Sequence, residues 1–98
     1  MSEEKRAEFE RQLGHATWRE LRPHAARDGL VFLKQTVELV EAAIALAEDD
    51  AVWVQNRLTT GELWKPTAAE LEHLEKNHES PFHFLIVQPF VLAQAIVD

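Results

Sequence analysis

The sequence predicts a mixed α/β (α+β) domain, a small sheet of about three strands covered by four to five helices around a single core. Three observations predict it. Residues 37–48 repeat apolar side chains at helical spacing. Val37, Val40, Ile44 and Ala47 share one face, and Glu38, Glu41, Ala45 and Glu48 share the opposite one. Phe82 to Val87 is apolar on both faces, the pattern of an interior strand. Two Thr-x-x-Glu sequences, Thr17 to Glu20 and Thr67 to Glu70, mark helix starts. In such a box the threonine and the glutamate each accept from an amide that the first helical turn leaves free.

In chain order, Ser2 to His15 is rich in Glu, Arg, Gln and Ala and reads as a helix capped by Ser2. Its apolar content is thin (Ala7, Phe9, Leu13). Residues 1–14 are therefore expected to be an N-terminal helical extension, and 15–98 a single α/β domain. A short helix follows Thr17 and ends at Asp28-Gly29, with Gly29 placed to take the left-handed conformation. Pro23 predicts a kink or break inside it. Leu30 to Leu33 reads as a buried strand. Thr36 is expected to cap the amphipathic helix Val37 to Glu48. Asp49-Asp50 breaks that helix, Asp50 caps the next, Ala51 to about Thr60, and Gly61 stops it. Glu62 to Lys65 is a candidate strand, and Thr67 opens a helix to about His78. After Pro89, Phe90 to Val97 reads either as a short helix or as a strand. Its β-branched content favours a strand continued from Phe82–Val87, with a bulge at the proline.

Composition narrows the functional classes. At 98 residues the chain supports one domain, and a hydrophobic share of 46% beside a charged share of 28% excludes a disordered chain. The absence of cysteine excludes a disulfide framework, a thiol nucleophile and a cysteine zinc site, and fits a cytoplasmic protein. No apolar run reaches the roughly 20 residues that span a bilayer. The first residues, Met1 to Arg6, are charged with no apolar stretch after them, unlike a signal peptide. The net charge of −7 comes wholly from residues 29–98, with four basic and eleven acidic side chains; residues 1–28 hold six of each. Neither a phosphate backbone nor an anionic membrane is the partner such a balance selects.

Several stretches resemble the uncharacterised bacterial domain-of-unknown-function family 2288. They are Thr17-Trp18-Arg19-Glu20-Leu21, Leu39-Val40-Glu41-Ala42-Ala43 with Ala47-Glu48-Asp49-Asp50, then Val54, Leu58, Gly61-Glu62-Leu63, and Pro89-Phe90-Val91-Leu92-Ala93-Gln94. The resemblance runs from about Thr17 to about Gln94. Phe90 stands where the family more often has tryptophan. The resemblance implies one compact bacterial domain and no particular activity.

Candidate chemistry is sparse. Glu70-x-x-His73 and Glu75-x-x-His78 put carboxylate and imidazole on shared helix faces, and His83 follows a turn, so these five are the candidate metal ligands. His73 and His78 are about 500° of helical rotation apart and point in different directions, so a solvated helix face is the simpler reading. The acidic ridge Glu38, Glu41, Glu48, Asp49, Asp50 offers a surface for a cation or a basic partner, or simply a solvent face ending in an N-cap. Arg19, Arg22 and Arg27 are the one arginine cluster that nucleic acid could use. No Gly-x-Ser-x-Gly elbow and no phosphate-cradling glycine loop is present.

The reading that results is a non-catalytic protein-binding or assembly module, with no cofactor, no nucleic acid and no membrane partner. The candidate interaction surface is Trp18, Trp53, Trp64, Phe90, Val91 and Ile96. A homodimer is expected, because Phe90 to Val97 is apolar at odd and even positions and needs cover on both faces. The rival reading is a small metal-assisted hydrolase using the His/Glu-rich helix 68–78 and His83.

Overall fold

Helix starts and stops follow from local hydrogen bonding. Thr17 N–H donates to Glu20 Oε1 at 2.9 Å, and Thr67 N–H donates to Glu70 Oε1 at 2.9 Å, so both capping boxes close. The Asp50 carboxylate accepts from the Trp53 amide at 3.1 Å. Gly61, at φ 80, ends the same helix in the left-handed region. The computed structural model describes residues 2–97. Its elements are α1 (Ser2–Gln12), β1 (Gly14–Thr17), α2 (Trp18–Ala26), β2 (Leu30–Leu33), α3 (Leu39–Ala47), α4 (Ala51–Thr60), β3 (Leu63–Trp64), α5 (Ala68–Glu75), β4 (Pro81–Val87) and β5 (Phe90–Ala95).

The sheet has five strands, in the order β1-β4-β5-β2-β3. β5 runs parallel to β2, and every other pairing is antiparallel. Two strands account for the difference from the expected three. Residues 14–17 leave the first helix to pair with β4, Gly14 opposite Phe84 and Thr17 opposite Pro81. Gly14 suits that place because a Cβ there would come within 2.7 Å of the Phe84 ring. At Gln88-Pro89 the chain makes a two-residue turn rather than a bulge, so Val87 faces Phe90 and β5 is a strand of its own.

Other boundaries move for local reasons. α2 continues through Pro23 to Ala26 without a break. Asp28, at φ 62, takes the left-handed position expected of Gly29; a short polar side chain tolerates it. α3 begins at Leu39 with Glu38 as its N-cap, not Thr36. Its buried face is Leu39, Val40, Ala42, Ala43 and Ala45, while Ile44 is half-buried and Ala47 exposed. α5 ends at Glu75, short of His78.

The expected single core is divided in two by the sheet. On one face α3 packs with Leu33, Leu63, Leu85, Val87 and Leu92, joined at the edge by Phe9 of α1 and by Trp53 and Val54 of α4. On the other, Trp18 and Leu21 of α2 and Leu74 of α5 pack with Leu30, Phe32, Phe82, Val91 and Ala93. Alternation along β5 sends Val91 and Ala93 one way and Leu92 the other. The argument that this segment needs a second chain for cover therefore fails. β5 is paired on both sides, and the chain's own helices bury both of its faces. Among the described residues no helix is long and apolar enough to cross a membrane.

Candidate binding surfaces

The five candidate metal ligands do not converge. Glu70 is engaged in the α5 cap and also accepts from the Trp64 indole Nε1, at 2.9 and 3.1 Å to its two oxygens. Glu75 accepts from the Trp18 indole at 3.0 Å, pairs with Arg22 Nε at 2.8 Å and lies 3.6 Å from His78 Nε2. These contacts hold the Glu75 carboxyl below the usual carboxylate range, the indole hydrogen bond first and Arg22 and His78 after it, against the cost of desolvation. His73 is exposed on α5. His83 stands on β4 opposite His15 of β1, the ring centroids 4.7 Å apart. No group of three or more metal-ligating side chains gathers among the described residues.

Much of the remaining charged surface is engaged within the chain. The acidic ridge has a basic partner in α1: Arg6 Nη1 lies 2.9 Å from Glu38 Oε1, and Lys5 Nζ lies 3.5 Å from Glu48. The Glu38 hydrogen bond raises the Arg6 pKa above its already high ordinary value. Asp50 is an N-cap, and Asp49 turns the chain at φ 55. Arg19 and Arg22 pair with Glu79 and Glu75, which removes two of the three arginines from any nucleic-acid patch. Gln94 is structural as well. Its amide nitrogen donates to the carbonyls of Lys34 at 2.8 Å and Val37 at 2.7 Å, fixing the lead into α3.

Of the aromatic and apolar residues expected on an interaction surface, Trp18 and Val91 are 1% and 3% exposed and belong to the core. Ile96 is half-buried just past β5, its N–H donating to the Pro81 carbonyl. Of the other three, two meet beside α4 and the third, Trp53, lies on α4 itself. Trp64 and Phe90 line a cavity of about 170 Å³ with Val54 and Leu58 of α4. Trp53 is half-buried, with the Arg57 guanidinium 4.6 Å above its ring. α4 buries none of its residues fully, and Val52 and Leu58 are 72% and 47% exposed. The sequence reading missed Val52 and Leu58 as a pair. The available signal was the window Ala51–Thr60, which holds no carboxylate in a chain of net charge −7.

A larger cavity, about 360 Å³, lies between α5 and the sheet. Phe32, Phe82, Leu74 and Trp64 form its apolar walls, and Ala69, Ala93 and Ala95 leave it open. Phe32 stacks on Phe82 with centroids 5.6 Å apart and meets Trp64 edge-on at 5.9 Å. Glu70 and His73 are the polar side chains in the lining. Small apolar cavities with few polar groups are the usual form of ligand pockets.

The chain is similar to a solved structure described as the NMR solution structure of PA1075 from Pseudomonas aeruginosa. The two are 28% identical, with a TM-score of 0.81 over 96% of this chain and 86% of that one. No curated protein matches the chain. A family match described as Protein of unknown function (DUF2288) spans residues 4–95, so it takes in α1, which the resemblance traced from Thr17 had left out. The chain belongs to the DUF2288 family.

Proposed function

We propose that the chain is a non-catalytic assembly module of the bacterial cytoplasm, and that it pairs with a second copy of itself through the exposed side of α4. One observation carries this reading. Of the five helices among the described residues, α4 alone has no carboxylate; it leaves Val52 exposed in its first turn and Leu58 exposed at the cavity lined by Trp64 and Phe90. Two copies each of net charge −7 repel over most of their surfaces. A helix without a carboxylate, its single charge the Arg57 guanidinium over Trp53, is where the repulsion is least, and its exposed apolar side chains are where burial gains most. Engagement of Glu70 and Glu75 by indole groups supports the non-catalytic part of the reading.

Sedimentation at micromolar concentration tests it. The wild type is expected to be a dimer. Val52→Lys combined with Leu58→Lys, both at exposed positions, is expected to be a folded monomer by circular dichroism and sedimentation. A wild-type monomer of 11.2 kDa, or a folded double variant that still dimerises, overturns the proposal.

A further inference from the structure

The cavity under α5 is open because three alanines line it. Ala69 on α5 and Ala93 and Ala95 on β5 stand where longer side chains would fill the space. One wall also carries a fixed anion. Glu70 Oε1 accepts from the Thr67 amide at 2.9 Å, the Thr67 hydroxyl at 3.2 Å and the Trp64 indole at 2.9 Å. Among the described residues, Oε2 has only the same indole, at 3.1 Å. A carboxylate oxygen accepts about two hydrogen bonds, so Oε2 keeps an open position on a carboxylate that its other contacts hold still. The lining contains no lysine or arginine to neutralise it. His73, one turn along α5, offers a second acceptor in its neutral form.

The geometry points to a binding site for a small organic amine, with an apolar ring-sized body in the cavity and its ammonium head on Glu70 Oε2. The volume of about 360 Å³ sits at the small end of ligand pockets and suits a single-ring body. The lining selects the head group. A carboxylate ligand would meet Glu70 with no cation beside it, and a neutral ligand would leave the carboxylate's charge unmatched. The net charge of −7 adds a field that concentrates cations. The site is distinct from the α4 contact: Trp64 is the one residue common to the two cavity linings, and the Ala93 and Ala95 amides report on the α5 cavity alone.

Three ligands of one shape and different charge test the proposal: phenethylamine, phenethyl alcohol and hydrocinnamate. Binding is followed by NMR through the Trp64 indole N–H, which sits on Glu70, and through the backbone amides of Ala93 and Ala95. Phenethylamine is expected to shift all three signals saturably. The alcohol is expected to bind about tenfold more weakly, since its hydroxyl can still donate to the carboxylate but brings no positive charge to it, and hydrocinnamate not at all. Glu70→Gln keeps an oxygen for the cap and for the indole, and is expected to bring the amine down to the level of the alcohol. Ala95→Leu is expected to abolish binding of both in a folded protein. The proposal is overturned if millimolar amine leaves these signals unmoved, or if the alcohol or hydrocinnamate binds as tightly as the amine. It also fails if a folded Glu70→Gln keeps the amine preference. Should Glu70→Gln not fold, the charge series on the wild type and Ala95→Leu still decide.

Discussion

Two tryptophans of the expected interaction surface tie down α5. Trp18 donates to Glu75 near its C-terminus, and Trp64 donates to Glu70 in its first turn. Such pairings are invisible in sequence, because 57 residues separate Trp18 from Glu75. Trp18 is buried, so removal of its acceptor leaves an indole N–H without a partner. Glu75→Ala is expected to lower the Tm by about 5 °C at neutral pH, while Glu75→Gln retains most of the stability. The sign with pH follows from the lowered carboxyl pKa. A depressed folded-state value contributes stability above the unfolded value of about 4.3 and loses it as pH falls through the folded one. The gap between wild type and Glu75→Ala should therefore narrow in acid, and thermal melts from pH 7 downward check it. A gap that stays constant with pH means that the charge of Glu75 is not what holds Trp18.

At the scale of elements, legibility tracks the range of the interaction that decides each one. The capping boxes at Thr17 and Thr67, the Asp50 cap and the Gly61 stop are each set within three or four residues, and all were readable. β1 was not, because Gly14-His15-Ala16-Thr17 carries no apolar alternation and becomes a strand only by pairing with residues 81–84. β5 was read as apolar on both faces, which is right, but its interior place depends on β2, distant in sequence. The cavity under α5 was hidden for the same reason: Ala69, Ala93 and Ala95 are unremarkable until the fold brings them together. The helix face of α3 was readable to within one turn, and the structure moves the sensitive position. Val40 is 4% exposed, whereas Ile44 is half-buried. Val40→Asp is expected to unfold the protein, since burying an unpaired carboxylate costs several kcal/mol against a total of about 5–15. Glu41→Lys, at an exposed position, is expected to melt near wild type. Equal melting temperatures for the two would mean that the helix face is misassigned.

For the whole molecule, charge and assembly must be reconciled. Each chain carries −7, nearly all of its helices contribute carboxylates, and α4 contributes none. α1 offsets part of the field, since Lys5 and Arg6 lie against Glu48 and Glu38 of the acidic ridge. What remains acts between copies as a long-range repulsion, whereas contact through Val52, Leu58 and the neighbouring aromatic residues is short-range and apolar. Salt distinguishes these two contributions. Raising ionic strength from about 0.01 M to about 0.15 M shortens the screening length from about 30 Å to about 8 Å, which removes most of the repulsion and leaves burial intact. The dimer is therefore expected to tighten several-fold over that range, measured as its Kd by sedimentation equilibrium. An interface built from ion pairs would weaken instead. Loosening with salt would exclude the α4 face as the contact, even if the protein is a dimer.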